Sequence, residues 1–573
     1  MSEGFSGFCF DKMVNVVSRS SVIAAVKRVR FFVFLCQSSF YKGSRSTEKG
    51  SHPHPEYGTG TTQGNCSYDA YQIFSANVID DSGDAKIATD LAWASDAARD
   101  AALPVLHSAG MPNSQTTAQE AAEWLNTDSH LTSALSAQLA RSLQSSGAEP
   151  VALNAGTTAE LPCGYWLIVA KDDAIAQGEA GTAPIIALVG GNAVTVKPKA
   201  ATPKVAKHVL EDSTAAWRKA ADATVADDLY WRLSATVPAG LTAYDTYTVQ
   251  FVDTMSAGLD PSKVAASMRV YAAAGADGGF GAVQTDKDGR VGTEPAKGWT
   301  DITAQCATKV AADGTFTVRT GDLIATLGGA DAFTAGARVV AVYNAPLNSA
   351  CNHGIAKGNP NEVYLRYPRS PFADQSGDAG FTRTPSDDAC AYTWDLALTK
   401  RGSDGDKPLS GAVLSIADDR GRTLAADGTW DAQGKATVTT GEDGRVTVSG
   451  VDSGKLEVRE LKAPKGYTAF EGTRSVTVKA EGLDVDQVAA AKPKLTITAE
   501  SPLRADSADG STGSLEASLI NTPTGTPPSI ITGGFMPSTG DMAMYAAAAA
   551  AVAGAALIVV ALLVKRGGGS HKE

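Results

Sequence analysis

Residues 140 to 525 are written in short runs that alternate apolar and polar side chains, such as Thr246 to Val252 and Gly444 to Val451, cut by Gly, Asp and Pro. A period of two turns one face of an extended strand toward a core and the other toward water. Many such strands at close spacing, with turn residues between them, fold as β-sandwiches. A chain of 573 residues is too long for one hydrophobic core. Domain sizes of roughly 100–200 residues suggest three or four units. The expected class is therefore mainly β, with tandem sandwiches.

Charge and cysteine content narrow the function. Fifty basic against sixty-two acidic residues leave a net charge of -12, which argues against a nucleic-acid partner and suits a soluble extracellular surface. Cys9 and Cys36 fall in a doubtful leader, which leaves Cys66, Cys163, Cys306, Cys351 and Cys390. That odd number implies at least one free thiol, beside one or two disulfides or plain buried thiols. No CxxC or Cys/His spacing of metal-site type is present, so neither a metal nor another cofactor is expected.

The C-terminal stretch is the most specific. From Ala543 to Val564 the chain is an uncharged run of 22 residues, long enough to cross a bilayer as a helix, and Lys565 and Arg566 follow it. Just before it stand Met536, Pro537, Ser538, Thr539 and Gly540. This arrangement resembles the cell-wall sorting signals read by sortases, an LPxTG-like pentapeptide followed by an apolar helix and a basic tail. The resemblance implies cleavage between Thr539 and Gly540, with Thr539 becoming an acyl donor. Met536 keeps the apolar bulk of the usual Leu. Residues 522–534 are rich in Pro, Gly and Thr and read as an extended spacer. Export calls for a signal peptide, yet Lys27, Arg28 and Arg30 interrupt the apolar pieces of residues 21–36. Residues 1–64 are accordingly read as an atypical leader or a doubtful N-terminal extension.

Three units are expected between these ends. The first, 65–200, opens with a strand at Tyr68 to Phe74, continues as a largely helical stretch from Ala85 to Ser146, and returns to strand at Leu161 to Ala170. Trp124 and Trp166 read as core residues. This pattern resembles the N-terminal domain of Gram-positive backbone pilins, with helices inserted in a β-rich fold. Its end, Asn192 to Lys199 (NAVTVKPK), resembles the pilin motif, whose Lys attacks the sortase-bound Thr of the next subunit. Lys199 occupies that position, and Pro198 holds it out of any sheet ladder. Lys197 stands where Tyr is usual.

The second unit, 201–386, carries Lys207 on its opening strand, Asp253 in a central one and Asn361 in a late one (GNPNEVYLRY). It resembles the fimbrial isopeptide-forming domain, in which a first-strand Lys is joined to a late-strand Asn beside a buried acid. Asn359 is the alternative acceptor. The third unit, 387–524, contains Trp394 to Lys400 (WDLALTK), Leu456 to Tyr467 (LEVRELKAPKGY) and Ala517 to Thr522 (ASLINT). It resembles the collagen-adhesin B-type domain, including the E-box of pilins. The resemblance implies Lys400 as nucleophile, Asn521 as acceptor and Glu460 as acid. Residues 525–573 complete the chain as spacer and sorting signal with a transmembrane helix. Both sandwiches are expected to be immunoglobulin-like.

The chemistry has a physical rationale. Burial disfavours the charged form of an amine and of a carboxylate, which lowers the Lys pKa and raises that of Asp253 or Glu460. A neutral amine can attack the Asn amide while the protonated acid hydrogen-bonds the amide carbonyl and passes its proton to departing ammonia. Holding the groups in contact removes roughly 7–11 kcal/mol of barrier. Such a reaction turns over once and needs no cofactor.

These readings imply a structural shaft subunit, not an enzyme, of a sortase-polymerised pilus that is secreted, wall-anchored and membrane-held only as a precursor. The implied partners are a pilin-type sortase, further copies of the chain, ancillary pilins, peptidoglycan and a host ligand. The alternative is an anchored ancillary pilin or adhesin that does not polymerise. An extracellular hydrolase would need an acid pair or a Ser/His/Asp set, and no such motif is legible.

Overall fold

The computed structural model describes residues 67–525, apart from 81–85, 128, 155–156, 192–193, 195, 197–200, 276–279, 286–290, 293 and 334. The leader, Lys199, the pentapeptide 536–540 and the apolar run 543–564 lie outside the described residues. Among the described residues no helix is long and apolar enough to cross a membrane. The architecture is mainly β, in five sheets.

The first body is a five-stranded sheet in the order Lys86–Trp93, Ser67–Asp80, Gly164–Ala170, Ile185–Val189, with Val151–Asn154 also paired to Ser67–Asp80. Three helices follow the second strand: Asp96–Ser108, Ala118–Leu125 and Ser133–Ser145. Each starts on a hydroxyl cap, from Ser95, Thr117 and Thr132. Thr117 and Glu120 form a reciprocal capping box, which satisfies two of the amide groups a helix start leaves open. Leu106, Leu139 and Leu143 from these helices pack with Phe74, Tyr165 and Leu167 of the sheet. Trp166 lies on the opposite sheet face with Ala70 and Ile168, while Trp124 is half-buried and stacked on His130.

The expected helical stretch from Ala85 to Ser146 is corrected at its start. Residues Lys86–Trp93 form a strand antiparallel to Ser67–Asp80, because cross-strand pairing outweighs the helix propensity of the Ala-rich local sequence.

The second body is a sandwich. One sheet runs Ala307–Val310, Thr315–Arg319, Gln250–Met255, Asn359–Pro368, Asp387–Tyr392, Ala220–Asp222. The facing sheet runs Thr300–Asp301, Arg269–Ala274, Ala337–Asn344, Tyr230–Val237, Lys204–Glu211, Ala216–Arg218. Trp231, Phe251, Phe316, Val339, Val363 and Leu365 fill the space between them. Strand Asp387–Tyr392 belongs to this sandwich's sheet, so the expected boundary at 386/387 falls one strand too early. Alternation explains the sharing: Ala389 and Ala391 point into the second core, Cys390 and Tyr392 into the third.

The third body packs the sheet Arg445–Val451, Trp394–Gly402, Ser514–Pro523, Tyr467–Thr468, with Leu503–Asp509 beside Ser514–Pro523, against a larger sheet centred on Val413–Ala417 and Gly454–Lys462. Its core holds Trp394, Leu396, Leu398, Leu414, Val458 and Leu519. The junction with the second body is polar and specific. Trp394 Nε1 donates to Asp222 at 2.6 Å, and Arg422 grips Asp227 through two bonds of 2.5 and 2.7 Å.

Candidate functional site

In the third sandwich, strand Trp394–Gly402 buries Trp394, Leu396, Leu398 and Lys400 in one inward phase. It runs parallel to Ser514–Pro523, with Lys400 opposite Leu519 and Gly402 opposite Asn521. Asn521 lies two residues beyond the position facing Lys400, so both side chains enter the core on the same sheet face. The facing strand Gly454–Lys462 buries Leu456, Val458 and Glu460 in its own inward phase. A lysine, an asparagine and a glutamate thus continue three apolar stripes that converge.

The side chains of Lys400 and Glu460 are both fully buried, with Lys400 Nζ 3.3 Å from Glu460 Oε1. Lys400 also donates to the carbonyl of Leu519 at 3.4 Å. Asn521 Nδ2 lies 2.9 and 3.0 Å from the two Glu460 oxygens, and the backbone N–H of Phe470 donates to Oε2 at 3.1 Å. Asn521 Oδ1 is buried without a partner. Burial pushes the Lys400 amine down to about 8, against the opposing pull of Glu460.

The second sandwich builds a related group across its two sheets. Lys207 on Lys204–Glu211 and Tyr343 on Ala337–Asn344 come from one sheet, and Asp253 on Gln250–Met255 and Asn361 on Asn359–Pro368 from the other. All four are fully buried. Lys207 Nζ is in direct contact with Asp253 Oδ2. Lys207 Nζ and Asn361 Nδ2 both donate to the Tyr343 hydroxyl at 2.9 Å, and that hydroxyl donates to Asp253 Oδ2 at 3.2 Å. Desolvation drives the Lys207 amine down to about 8 and the Asp253 carboxyl up to about 6, each partly offset by the attraction of the pair. Asp253 Oδ1 and Asn361 Oδ1 are buried without partners.

Asn359 is also buried and inward, but its amide is engaged elsewhere. Its Oδ1 accepts from Asn352 N at 2.8 Å, and its Nδ2 donates to the carbonyls of Asn352 at 2.9 Å and Ala391 at 3.2 Å. It closes a turn, while Asn361 shares a hydroxyl with Lys207. Tyr343 is the member that sequence reasoning missed. Its only signal is a polar-tipped aromatic at the inward phase of Val339, Ala341 and Tyr343, which reads as ordinary core.

Both groups present an amide turned differently from the expected geometry. The anticipated hydrogen bond runs from a protonated acid to the Asn carbonyl. Instead Asn521 offers its nitrogen to Glu460, and Tyr343 stands between Asp253 and Asn361. The first arrangement is the one an ionised carboxylate selects, since it can only accept. For the acid to polarise the Asn521 carbonyl, the amide must turn by half a turn and accept from a protonated carboxyl, which would satisfy the orphaned Oδ1. In this dry setting a neutral amine beside a polarised amide can form an amide bond and expel ammonia.

The free cysteines are Cys163, Cys306, Cys351 and Cys390 among the described residues. No group of three or more His, Cys, Asp or Glu fit to hold a metal occurs among the described residues.

Known proteins resemble this region and larger parts of the chain. Residues 395–492 match the prealbumin-like fold domain SpaA. Over 143 residues the chain is 30% identical to the trypsin-resistant surface T6 protein of Streptococcus pyogenes serotype M6. That stretch is 24% of this chain and 24% of the relative, so the match spans about a quarter of the curated protein. The solved T6 backbone pilin of serotype M6 Streptococcus pyogenes, described as modular and three-domain, aligns at 18% identity with a TM-score of 0.44 over 81% of this chain and 97% of that one. The full-length major pilin SpaD from Corynebacterium diphtheriae aligns at 15% identity with a TM-score of 0.38, over 85% and 96% of the two chains.

Proposed function

We propose that this chain is the shaft subunit of a sortase-polymerised pilus, a structural protein stabilised by Lys207–Asn361 and Lys400–Asn521 isopeptide bonds. The observation that carries the reading is the convergence of Lys400, Glu460 and Asn521 in one dry space, in and beside the stretch that matches a SpaA domain. In each bond Lys Nζ attacks Asn Cγ, the new C–N bond forms as ammonia leaves, and the neighbouring acid relays the proton.

The strand geometry gives the bond a mechanical role. Trp394–Gly402 and Ser514–Pro523 are the first and last strands of the third sandwich and lie parallel side by side. Pulling the chain at its two ends shears these neighbours against each other. A covalent link between them carries that load past the hydrogen-bond ladder. By analogy with a disulfide closing a loop of roughly 100 residues, it also adds about 5 kcal/mol of stability.

In this reading Lys199 accepts the Thr539 acyl group of another copy through a pilin-type sortase, and residues 536–540 form the recognition signal. Further copies of the chain, ancillary pilins and finally peptidoglycan are the partners, and the product stands on the cell surface, where it supports adhesion. Incubation of the exported chain with a pilin-type sortase tests the assignment. A covalent ladder that survives boiling in detergent and vanishes in Lys199→Ala supports it. A single unpolymerised band with wild-type protein refutes it.

A further inference from the structure

The loop between strands Ala337–Asn344 and Asn359–Pro368 runs against the start of the third sandwich. Gly354 N donates to Thr393 O at 3.0 Å, and Ile355 N to Gly510 O at 3.1 Å. Gly354 has φ +74°, and a Cβ there would meet the backbone of Thr512 and Gly513 at 2.5 Å, so only glycine permits this approach. The loop carries Cys351 and His353 to the junction, where Asp395 of the third sandwich meets them.

Three side chains stand in sequence at that junction. Cys351 Sγ lies 3.6 Å from His353 Nε2, and His353 Nδ1 lies 2.7 Å from Asp395 Oδ2. The other Asp395 oxygen accepts from Ser449 Oγ at 2.6 Å and Gly450 N at 3.0 Å. The carboxylate is therefore fixed by two donors, and it in turn fixes the ring. With Nδ1–H committed to Asp395, Nε2 is left as an acceptor facing the thiol. Nucleophile, base and orienting acid have the order and reach of an activated nucleophile. Cys306 and Cys390, by contrast, direct their thiols to backbone carbonyls.

We propose that Cys351 is a modification site, a thiol that His353 activates as base and Asp395 supports as positioning residue for exchange with low-molecular-weight disulfides. His353 Nε2 takes the S–H proton as Sγ attacks one sulfur of the reagent. One S–S bond breaks, the mixed disulfide on Cys351 forms, and the leaving thiolate recovers the proton from the imidazolium. Cys351 is oxidised and half of the reagent reduced, so no further oxidant is required. Cys351 is only 8% exposed, too enclosed for a second protein thiol, so the reagent must be small. Burial, reinforced by Asp395, pushes the thiol up to about 11, so thiolate formed without help is scarce at neutral pH. The proton transfer to His353 supplies what burial withholds, and it does so only while the second and third sandwiches stay docked.

The test uses the folded chain and the small neutral reagent 2-hydroxyethyl disulfide, with adducts located by peptide mapping and rates followed with pH. Cys351 is expected to react at neutral pH about a hundredfold faster than in His353→Gln, the scale of general-base assistance. The wild-type rate is expected to reach its plateau below the alkaline range, whereas in His353→Gln it keeps climbing there. Asp395→Asn lies between them with a displaced profile. The wild-type pH profile stands as evidence by itself should a variant fail to fold. Equal rates and profiles in wild type and His353→Gln, or a Cys351 that reacts only after denaturation, would overturn the proposal and leave His353–Asp395 as a structural ion pair.

Discussion

Asn521 turns its amide nitrogen to both oxygens of Glu460, at 2.9 and 3.0 Å, and leaves its own carbonyl oxygen in the core without a hydrogen-bond partner. A buried orphan acceptor costs roughly 1–3 kcal/mol, so this amide orientation carries a polar deficit. Three of the orphaned side-chain atoms, Asp253 Oδ1, Asn361 Oδ1 and Asn521 Oδ1, belong to the two Lys/Asn groups. In the proposed reaction, proton relocation and bond formation would remove this deficit.

Glu460→Gln keeps the shape of the acid and removes its proton relay. The variant is expected to retain the ammonia of the third sandwich, and with the link absent it should lose about 5 kcal/mol of stability. Intact mass and thermal unfolding read the two effects separately. Unchanged mass loss in this variant would show that Glu460 is not the acid.

Asn361→Ala and Asn359→Ala separate the two candidate acceptors. Asn361→Ala should abolish ammonia loss from the second sandwich. Asn359→Ala should leave that loss intact while destabilising the turn by about 1–3 kcal/mol, since it strips partners from Asn352 and Ala391. Peptide mapping of the two variants distinguishes the roles, and the opposite pattern would make Asn359 the acceptor.

Tyr343→Phe removes the hydroxyl that receives both Lys207 and Asn361 and donates to Asp253. Bond formation in the second sandwich should slow measurably in a time course of mass loss from freshly folded protein. The same substitution at the third sandwich has no counterpart, so that bond provides an internal control.

Stability against pH should differ between linked and unlinked protein. In Asn361→Ala the amine stays free, with its folded pKa near 8 against an ordinary 10.5. Between those values the unfolded chain binds the extra proton, so stability rises with pH from about 8 to 10.5. Asp253 has the opposite sign: its folded pKa is raised from 3.8 to about 6, and stability falls as pH rises through that window. Melting temperature across pH checks both slopes. Once Lys207 is an amide, the alkaline slope should be absent.

Much of this organisation is legible in residue phase. Lys400, Glu460 and Asn521 each sit where alternation demands an apolar side chain, at the end of Trp394/Leu396/Leu398, Leu456/Val458 and Leu515/Ala517/Leu519. A polar residue in that phase is either a register slip or a buried function. Phase alone does not separate Asn359 from Asn361, because both point inward and only the turn at Asn352 distinguishes them. Tyr343 stays hidden because a buried tyrosine is common in a sandwich core. Lys86–Trp93 reads as helix because local propensity does not sense its pairing with Ser67–Asp80. Cys351 and His353 stand two residues apart in sequence but gain meaning only from Asp395, 42 residues beyond His353 in another sandwich.

The central claim is that two amines are welded to two side-chain amides inside the folded chain. The most direct measurement is the intact mass of the purified region spanning residues 67–525, with tandem mass spectrometry of its digest. Two bonds predict a deficit of about 34 Da, one ammonia of about 17 Da for each amide exchange, and branched peptides joining Lys207 to Asn361 and Lys400 to Asn521. A mass equal to that of the encoded chain, with all four residues recovered in linear peptides, would contradict the account.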